Sequence, residues 1–271
     1  MNKWIVTAAM ALAVPGASAK LLMSIDAGGG YTMPTLSEDS TFIGDTFDLT
    51  GTQSSAAAPY GLGMAASNGF YGWAKISLPL LPDVKLKYES MVLEGSNTVA
   101  FSQAILGESF DISGTVESSL DLSHVDLGLT IGLPIPLLDI DFGVNFRALT
   151  GGFSASGVIA GTQDTKEVLF PSATIIPLGY ISAAATIPGL GVKIGGELST
   201  LPLGDADISD WNIKGTWFAP LPTNMLAKVG VEAGYRSFNM TIGETVGWLD
   251  TSDFQSNVTI AGFFVGAAVH F

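Results

Sequence analysis

The last fourteen residues, Val258 to Phe271, constrain this chain most; they read VTIAGFFVGAAVHF. Counting back by twos from the end gives Phe271, Val269, Ala267, Val265, Phe263 and Ala261, all apolar. The other parity gives His270, Ala268, Gly266, Phe264 and Gly262, small or polar apart from Phe264. A strand sends alternate side chains to opposite faces. One face of this strand is therefore continuously apolar and the other mostly small. That pattern fits the closing strand of a membrane β-barrel, with lipid outside and lumen inside. The core strand of a soluble sandwich shares it, so the remainder of the chain must decide between them.

Residues 1–19 read MNKWIVTAAMALAVPGASA. Lys3 supplies a positive start, Trp4 to Val14 an apolar run, Pro15-Gly16 a break, and Ala17-Ser18-Ala19 a small-x-small junction. This is the pattern of a secretory signal peptide cleaved between Ala19 and Lys20, and the expected domain is a single barrel over 20–271. Cysteine is absent, which removes disulfide frameworks, thiol nucleophiles and thiolate metal sites from consideration. Although 47% of the residues are hydrophobic, no stretch of the mature chain reaches the ~18 apolar residues of a membrane helix. Apolar content without a helical span points to strands in which apolar residues alternate with others. The 33 glycines suit tight strand packing and turns and argue against helices.

Two kinds of connection separate the alternating segments. Short proline-rich ones read LPLLPDV (78–84), LPIPLL (133–138), IPGLGV (187–192) and APLPT (219–223). Long polar ones cover roughly 34–68, 96–119, 153–170 and 242–256, with a shorter one near 201–207. Short turns at one rim and long loops at the other is the asymmetry of outer-membrane barrels. Four turns and five loops connect ten strands and place both termini on the short-turn, periplasmic side. The expected strands are 20–33, 69–80, 83–95, 120–133, 138–152, 171–187, 190–200, 208–219, 226–241 and 257–271, an all-β, antiparallel up-and-down barrel. Eight or twelve strands are the alternatives. Asp111 to Leu122 also alternates, so the second loop can extend as strand. Pro177 inside the sixth strand predicts a bulge or break. Leu120 and Leu122 are out of phase with Val125 and Leu127, which predicts a bulge near Ser123.

Charge follows parity in five of these strands. Lys85, Lys87 and Glu89 alternate with Val84, Leu86 and Tyr88; His124 and Asp126 with Val125 and Leu127. Asp139, Asp141 and Arg147 alternate with Ile140, Phe142 and Phe146; Lys193 and Glu197 with Val192, Ile194 and Leu198; Lys228, Glu232 and Arg236 with Val229, Val231 and Tyr235. A Lys or Arg on the lipid face at mid-bilayer costs roughly 2–4 kcal/mol, so these charges are assigned to the lumen, where the two signs should pair.

The stretch LPLLPDVKLKYESMVLEGS (78–96), together with the leader pattern and the terminal aromatic, resembles a family of uncharacterised Gram-negative outer-membrane β-barrel proteins. The resemblance covers the chain ends and that hairpin well and the long loops poorly. It implies an outer-membrane location, with biogenesis by the barrel-assembly machinery. In that reading Phe263, Val265, Ala267, Val269 and Phe271 form the C-terminal assembly signal. It carries no ligand or activity residues.

The long connections hold Glu38, Asp39, Asp45, Asp48, Glu108, Asp111, Glu117, Asp164, Glu167, Asp205, Asp207, Glu244, Asp250 and Asp253 against Lys166 alone, so they account for most of the formal net charge of −14. An acidic outer rim disfavours nucleic acid as a partner; outer-membrane lipid and lipopolysaccharide are the expected ones. Loop acids such as Glu38, Asp39, Asp250 and Asp253 could share divalent cations with lipid phosphates, yet no D-x-[DN]-x-[DN]-G calcium loop is present. No cofactor, metal or catalytic set is expected. Gly28-Gly29-Gly30 follows a strand but opens no helix, so it is not a phosphate loop. His124 with Asp126 is the single pairing that suggests a barrel-embedded hydrolase, and no G-x-S-x-G accompanies it. The expected function is therefore a structural, envelope-integrity barrel whose lumen is filled by its own side chains. A narrow pore for ions or small apolar solutes is the alternative. Girdle aromatics are expected at Trp217 and Phe271 on the inner rim and at Tyr31, Phe153, Phe170 and Tyr235 on the outer one.

Overall fold

The computed structural model describes residues 23–53, 57–78, 81–105, 107–135, 137–159, 161–170, 175–203, 206–221, 226–243, 245–246, 249–250 and 255–271. The expected leader, with its junction at Ala19 and Lys20, lies outside the described residues. Ten strands carry the fold: β1 (Ser24–Leu36), β2 (Gly69–Ser77), β3 (Asp83–Glu89), β4 (His124–Ile135), β5 (Leu138–Leu149), β6 (Ile175–Ile187), β7 (Val192–Leu203), β8 (Ala206–Phe218), β9 (Lys228–Ile242) and β10 (Ser256–His270). Each pairs antiparallel with the next, and β10 returns to β1 through a ladder from Asp26↔His270 to Leu36↔Ile260. The sheet is closed, as the alternation and turn asymmetry predicted.

Parity explains the register. In the β4–β5 ladder Asp126 opposes Arg147 and both are buried, while the next pair, Leu127 and Phe146, is exposed on the outside. A one-residue slip would exchange the two faces. The closing seam is tightened by glycine. Gly30 pairs with Gly266, and a Cβ on Gly30 would lie 2.0 Å from the Val265 carbonyl oxygen. The triple glycine is therefore a close-approach device of the barrel wall.

Above the wall two of the long connections are hairpins rather than loops. Val92–Ile105 and Glu108–Asp121 form one hairpin; Gly152–Ile159 and Thr162–Leu169 form another. The two hairpins pair with each other, and with Met64–Ala66 they make a separate five-stranded sheet. Strand structure stops before this sheet begins, at Ser67–Asn68, Ser90–Met91, Leu122–Ser123 and Thr150–Gly151. The expected bulge near Ser123 is thus a junction between two sheets, which is why Leu120 and Val125 differ in phase. Ser123 ties it together: its Oγ accepts from the Met91 N–H at 3.0 Å and its carbonyl accepts from the Thr150 N–H at 2.8 Å.

One face of the upper sheet is apolar. Leu93, Val99, Phe101 and Ile105 from one strand and Phe110, Ile112, Val116 and Leu120 from its partner are buried. They join Phe42, Phe47, Leu49, Leu62 and Phe153, and meet inward residues from the outer ends of the barrel strands, Ile208, Phe238, Met240, Val258 and Ile260. This cap core overturns two expectations. Phe153 and Phe170 are not girdle residues but core, the former ringed by Phe42, Phe47 and Phe110 with centroids 5.6–6.3 Å away. Trp217, Tyr31 and Phe271 do project outward.

Pro177 produces no bulge. The β5–β6 ladder passes through Phe146↔Pro177 without a shift, but β6 meets β7 only from Gly179↔Thr200 onward. Continuing that register two residues would oppose Pro177 to Pro202, and neither has an N–H to donate. The seam stops there instead.

Candidate functional site in the lumen

Three layers fill the interior below the cap. The uppermost is an ion network. Arg147 donates from Nε and Nη2 to both oxygens of Asp126 at 2.8 and 2.7 Å, and from Nη2 to Asp210 at 2.5 Å. Arg236 donates from Nε to Asp210 at 2.6 Å and also engages Glu89, which pairs with Lys87 at 3.0 Å. Three bases thus balance three acids, on strands β3, β4, β5, β8 and β9. Paired and hydrogen-bonded, such charges tolerate burial; alone they would not. The Phe238 ring lies over the network, 5.6 Å from the Arg147 and 5.9 Å from the Arg236 guanidinium carbon, and joins it to the cap core.

His124 belongs to this layer. It is fully buried, its Nδ1–H donates to the Leu122 carbonyl at 3.0 Å, and its ring stacks on Phe238 at 6.2 Å. That tautomer leaves Nε2 as an acceptor, with Arg236 Nη2 at 3.5 Å. The imidazole is therefore positioned as a structural acceptor, out of reach of any substrate in solution. His124, Asp126 and Asp210 come close enough together to bind a metal ion, but the two guanidinium groups already occupy the carboxylates.

The middle layer sits a turn of the wall lower. Lys85 pairs with Glu197, which also accepts from the Tyr180 hydroxyl at 2.8 Å. Lys214 pairs with Glu232 at 3.0 Å, and Glu232 accepts from the Tyr71 hydroxyl at 2.7 Å and the Trp73 Nε1–H at 3.1 Å.

The lowest layer opens at the short-turn end as a vestibule of about 410 Å³. Lys75 bridges Asp83 at 2.9 Å and Asp141 at 2.7 Å, Lys193 pairs with Asp139 at 2.6 Å, and His270 Nδ1 lies 2.7 Å from Asp26. Upward the space contracts to chambers of about 20 and 30 Å³, room for about one water each.

Most charges assigned to the lumen from parity are brought together here, in the pairs given above. Lys228 is the exception: it is exposed at the short-turn rim and forms no ion pair among the described residues. Asp26, Lys75, Asp83, Asp210 and Lys214 were not foreseen. The signal existed, because Trp73, Lys75 and Ser77 alternate with Ala74 and Ile76, and Asp210, Asn212 and Lys214 with Trp211 and Ile213. Of the terminal residues, Phe263, Val265, Ala267 and Phe271 are exposed on the outer face and Val269 is half-buried.

No protein-family model and no curated protein sequence matches this chain. Solved structures do. The outer-membrane protease OmpT of Escherichia coli aligns over 95% of this chain and 99% of its own at 11% identity and a TM-score of 0.43. A FadL homologue of Pseudomonas aeruginosa aligns over 94% and 65% at 8% identity and 0.32, and the outer membrane protein OprG of Pseudomonas aeruginosa over 92% and 95% at 10% and 0.29. At these values no activity, ligand or partner transfers to this chain.

Proposed function

We propose that this chain is a Gram-negative outer-membrane barrel with a sealed lumen, serving as a structural, non-conducting element of the envelope. The observation that carries the reading is the Arg147–Asp126–Asp210–Arg236–Glu89 network lying across the interior directly beneath the apolar cap core. Ion passage would require breaking buried, charge-balanced pairs and then crossing an apolar layer. The exposed outer band of Leu127, Leu129, Ile131, Phe142, Val144 and Ile213 supports a lipid-facing wall. Short turns, the start of β1 and the end of β10 on one side support a periplasmic vestibule and an outward cap.

In planar bilayers the purified mature protein shows no stable conductance. Reproducible single-channel steps from the wild type would overturn the sealed reading in favour of a narrow pore. The membrane reading has its own test: unheated and boiled samples migrate differently on gels, because a closed sheet resists detergent. Equal migration together with a soluble periplasmic protein would remove it. Within the same reading Phe271 is the last residue recognised by the assembly machinery. Phe271→Ala lowers the outer-membrane level without affecting export or the stability of the folded barrel; unchanged levels would make the terminal aromatic incidental.

A further inference from the structure

The vestibule is built as a compartment, not left over from imperfect filling. Its wall on β6 and β7 is made of small residues, among them Ala184, Gly195 and Gly196. A Cβ on Gly195 would lie 2.6 Å from the Ala184 Cβ, so the wall is already at closest approach. The volume of about 410 Å³ falls in the range of small-molecule pockets.

Its charge is unbalanced in a definite way. Five carboxylates line it, from Asp26, Asp83, Asp139, Asp141 and Glu197, against four lysines. One of those lysines, Lys214, is already neutralised by Glu232 of the middle layer, whose side chain is fully buried. Lys85 serves Glu197 and Lys193 serves Asp139. Lys75 alone serves both Asp83 and Asp141, and Asp26 has only His270. Counting ammonium groups alone, two carboxylate charges are left without a partner. The contacts of Asp83 and Asp141 with Lys75, Ser77 and Ser182 all fall on Oδ2, which leaves each Oδ1 able to accept another donor.

A second observation is independent of charge. Asn212 lines the cavity, is only 8% exposed, and its Oδ1 has no hydrogen-bond donor among the described residues. An orphaned buried acceptor is costly unless a donor reaches it. The aromatic wall already shows what it stabilises. The Lys214 ammonium lies 4.4 Å from the Trp73 ring centre and the Lys85 ammonium 5.3 Å from that of Tyr180. Phe218, also on the wall, offers apolar surface for a methylene chain. The acids do not converge as metal ligands: among the described residues only the sealed His124, Asp126 and Asp210 group does so.

We propose that the vestibule is a binding site for a small organic dication, a short aliphatic diamine or polyamine, held by the two excess carboxylate charges and by donation to Asn212. The test uses the full mature barrel folded in a zwitterionic detergent, with 1,4-diaminobutane as the probe in calorimetry. Saturable binding is expected, with none for 1,4-butanediol, which has the same length and no charge. Removing both excess charges in Asp26→Asn/Asp141→Asn weakens binding about tenfold or more, and Ala184→Leu, which narrows the cavity and keeps every charge, weakens it too. Heat-shifted migration verifies that each variant is folded. Should a variant fail that check, the wild type still decides by NMR, because the Asn212 side-chain amide shifts on titration with the diamine. The proposal is overturned by absence of saturable binding, by equal binding of the diol, by displacement with magnesium at equal ionic strength, or by an unmoved Asn212 amide.

Discussion

Above Phe238 the interior is packed by Phe42, Phe47, Phe110 and Phe153, all supplied by connections and none by the barrel wall. Below Phe238 the wall fills its own interior with Arg147, Asp126, Asp210, Arg236 and Glu89. The same barrel is thus closed twice, by opposite chemistry. The difference follows from what faces the interior. Where a second sheet supplies an apolar face, burial of apolar area drives closure without directional demands. Where only barrel strands are present, closure uses inward charges of both signs that neutralise one another. The two layers should therefore respond differently to mutation: the ion network is coupled to five barrel strands, whereas the cap packs on the outer ends of β8, β9 and β10 and otherwise joins the barrel at its junctions.

The largest effect is expected from the network. Arg147→Ala leaves Asp126 buried without its bidentate partner and should cost about 3–5 kcal/mol, read as a lowered urea midpoint of the whole barrel. The double variant Arg147→Met/Asp126→Leu should recover most of that loss, because removing both charges also removes the burial cost. If the single change costs nothing, the network does not hold the strands together. A smaller and localised effect is expected in the cap. Leu120→Ala, at a fully buried position paired with Phe153, should cost about 2–4 kcal/mol. Protease cleavage should rise within 92–121 and 152–169 while heat-shifted migration of the barrel persists; loss of that migration would show that cap and barrel unfold as one unit. The smallest effect is expected from the cap's exposed ion pair. Lys166 lies 3.9 Å from Glu108, with both side chains substantially exposed, and Lys166→Gln should change stability by less than about 1 kcal/mol. A loss as large as that of Arg147→Ala would dissolve the distinction between the layers.

The barrel was legible because its environment imposes period two on every strand. Asp139, Asp141 and Arg147 against Ile140, Phe142 and Phe146 is enough to orient β5. The cap was legible only in Asp111 to Leu122, whose alternation falls on the strand Glu108–Asp121, because its strands are apolar on one face and acidic or small on the other, with gaps. In Val92–Ile105 the buried set is Leu93, Val99, Phe101 and Ile105, interrupted by Gly95 and Asn97. Read alone, such a stretch has the composition of a solvated loop. The acids Glu108, Glu117 and Asp164 that gave that impression lie at exposed positions on the strands of this sheet. Phe153 and Phe170 were misplaced for the same reason: an aromatic near a rim can point into lipid or into a cap, and only knowledge of the cap decides.

The sequence by itself determined the closed antiparallel barrel of about ten strands and which parity faces the lumen, because charges are confined to one face of each patterned strand and apolar residues to the other. Pairing of the lumen charges was decided only in three dimensions. Asp126 and Arg147 are neighbours in one ladder, but Arg236 meets Glu89 and Lys85 meets Glu197 across the interior, on strands that do not pair with each other. Which residues face one another across a barrel depends on strand tilt and stagger, which no single strand's pattern encodes. The cap likewise exists only because three connections, each unable to bury its apolar face alone, reach the same mouth and cover one another.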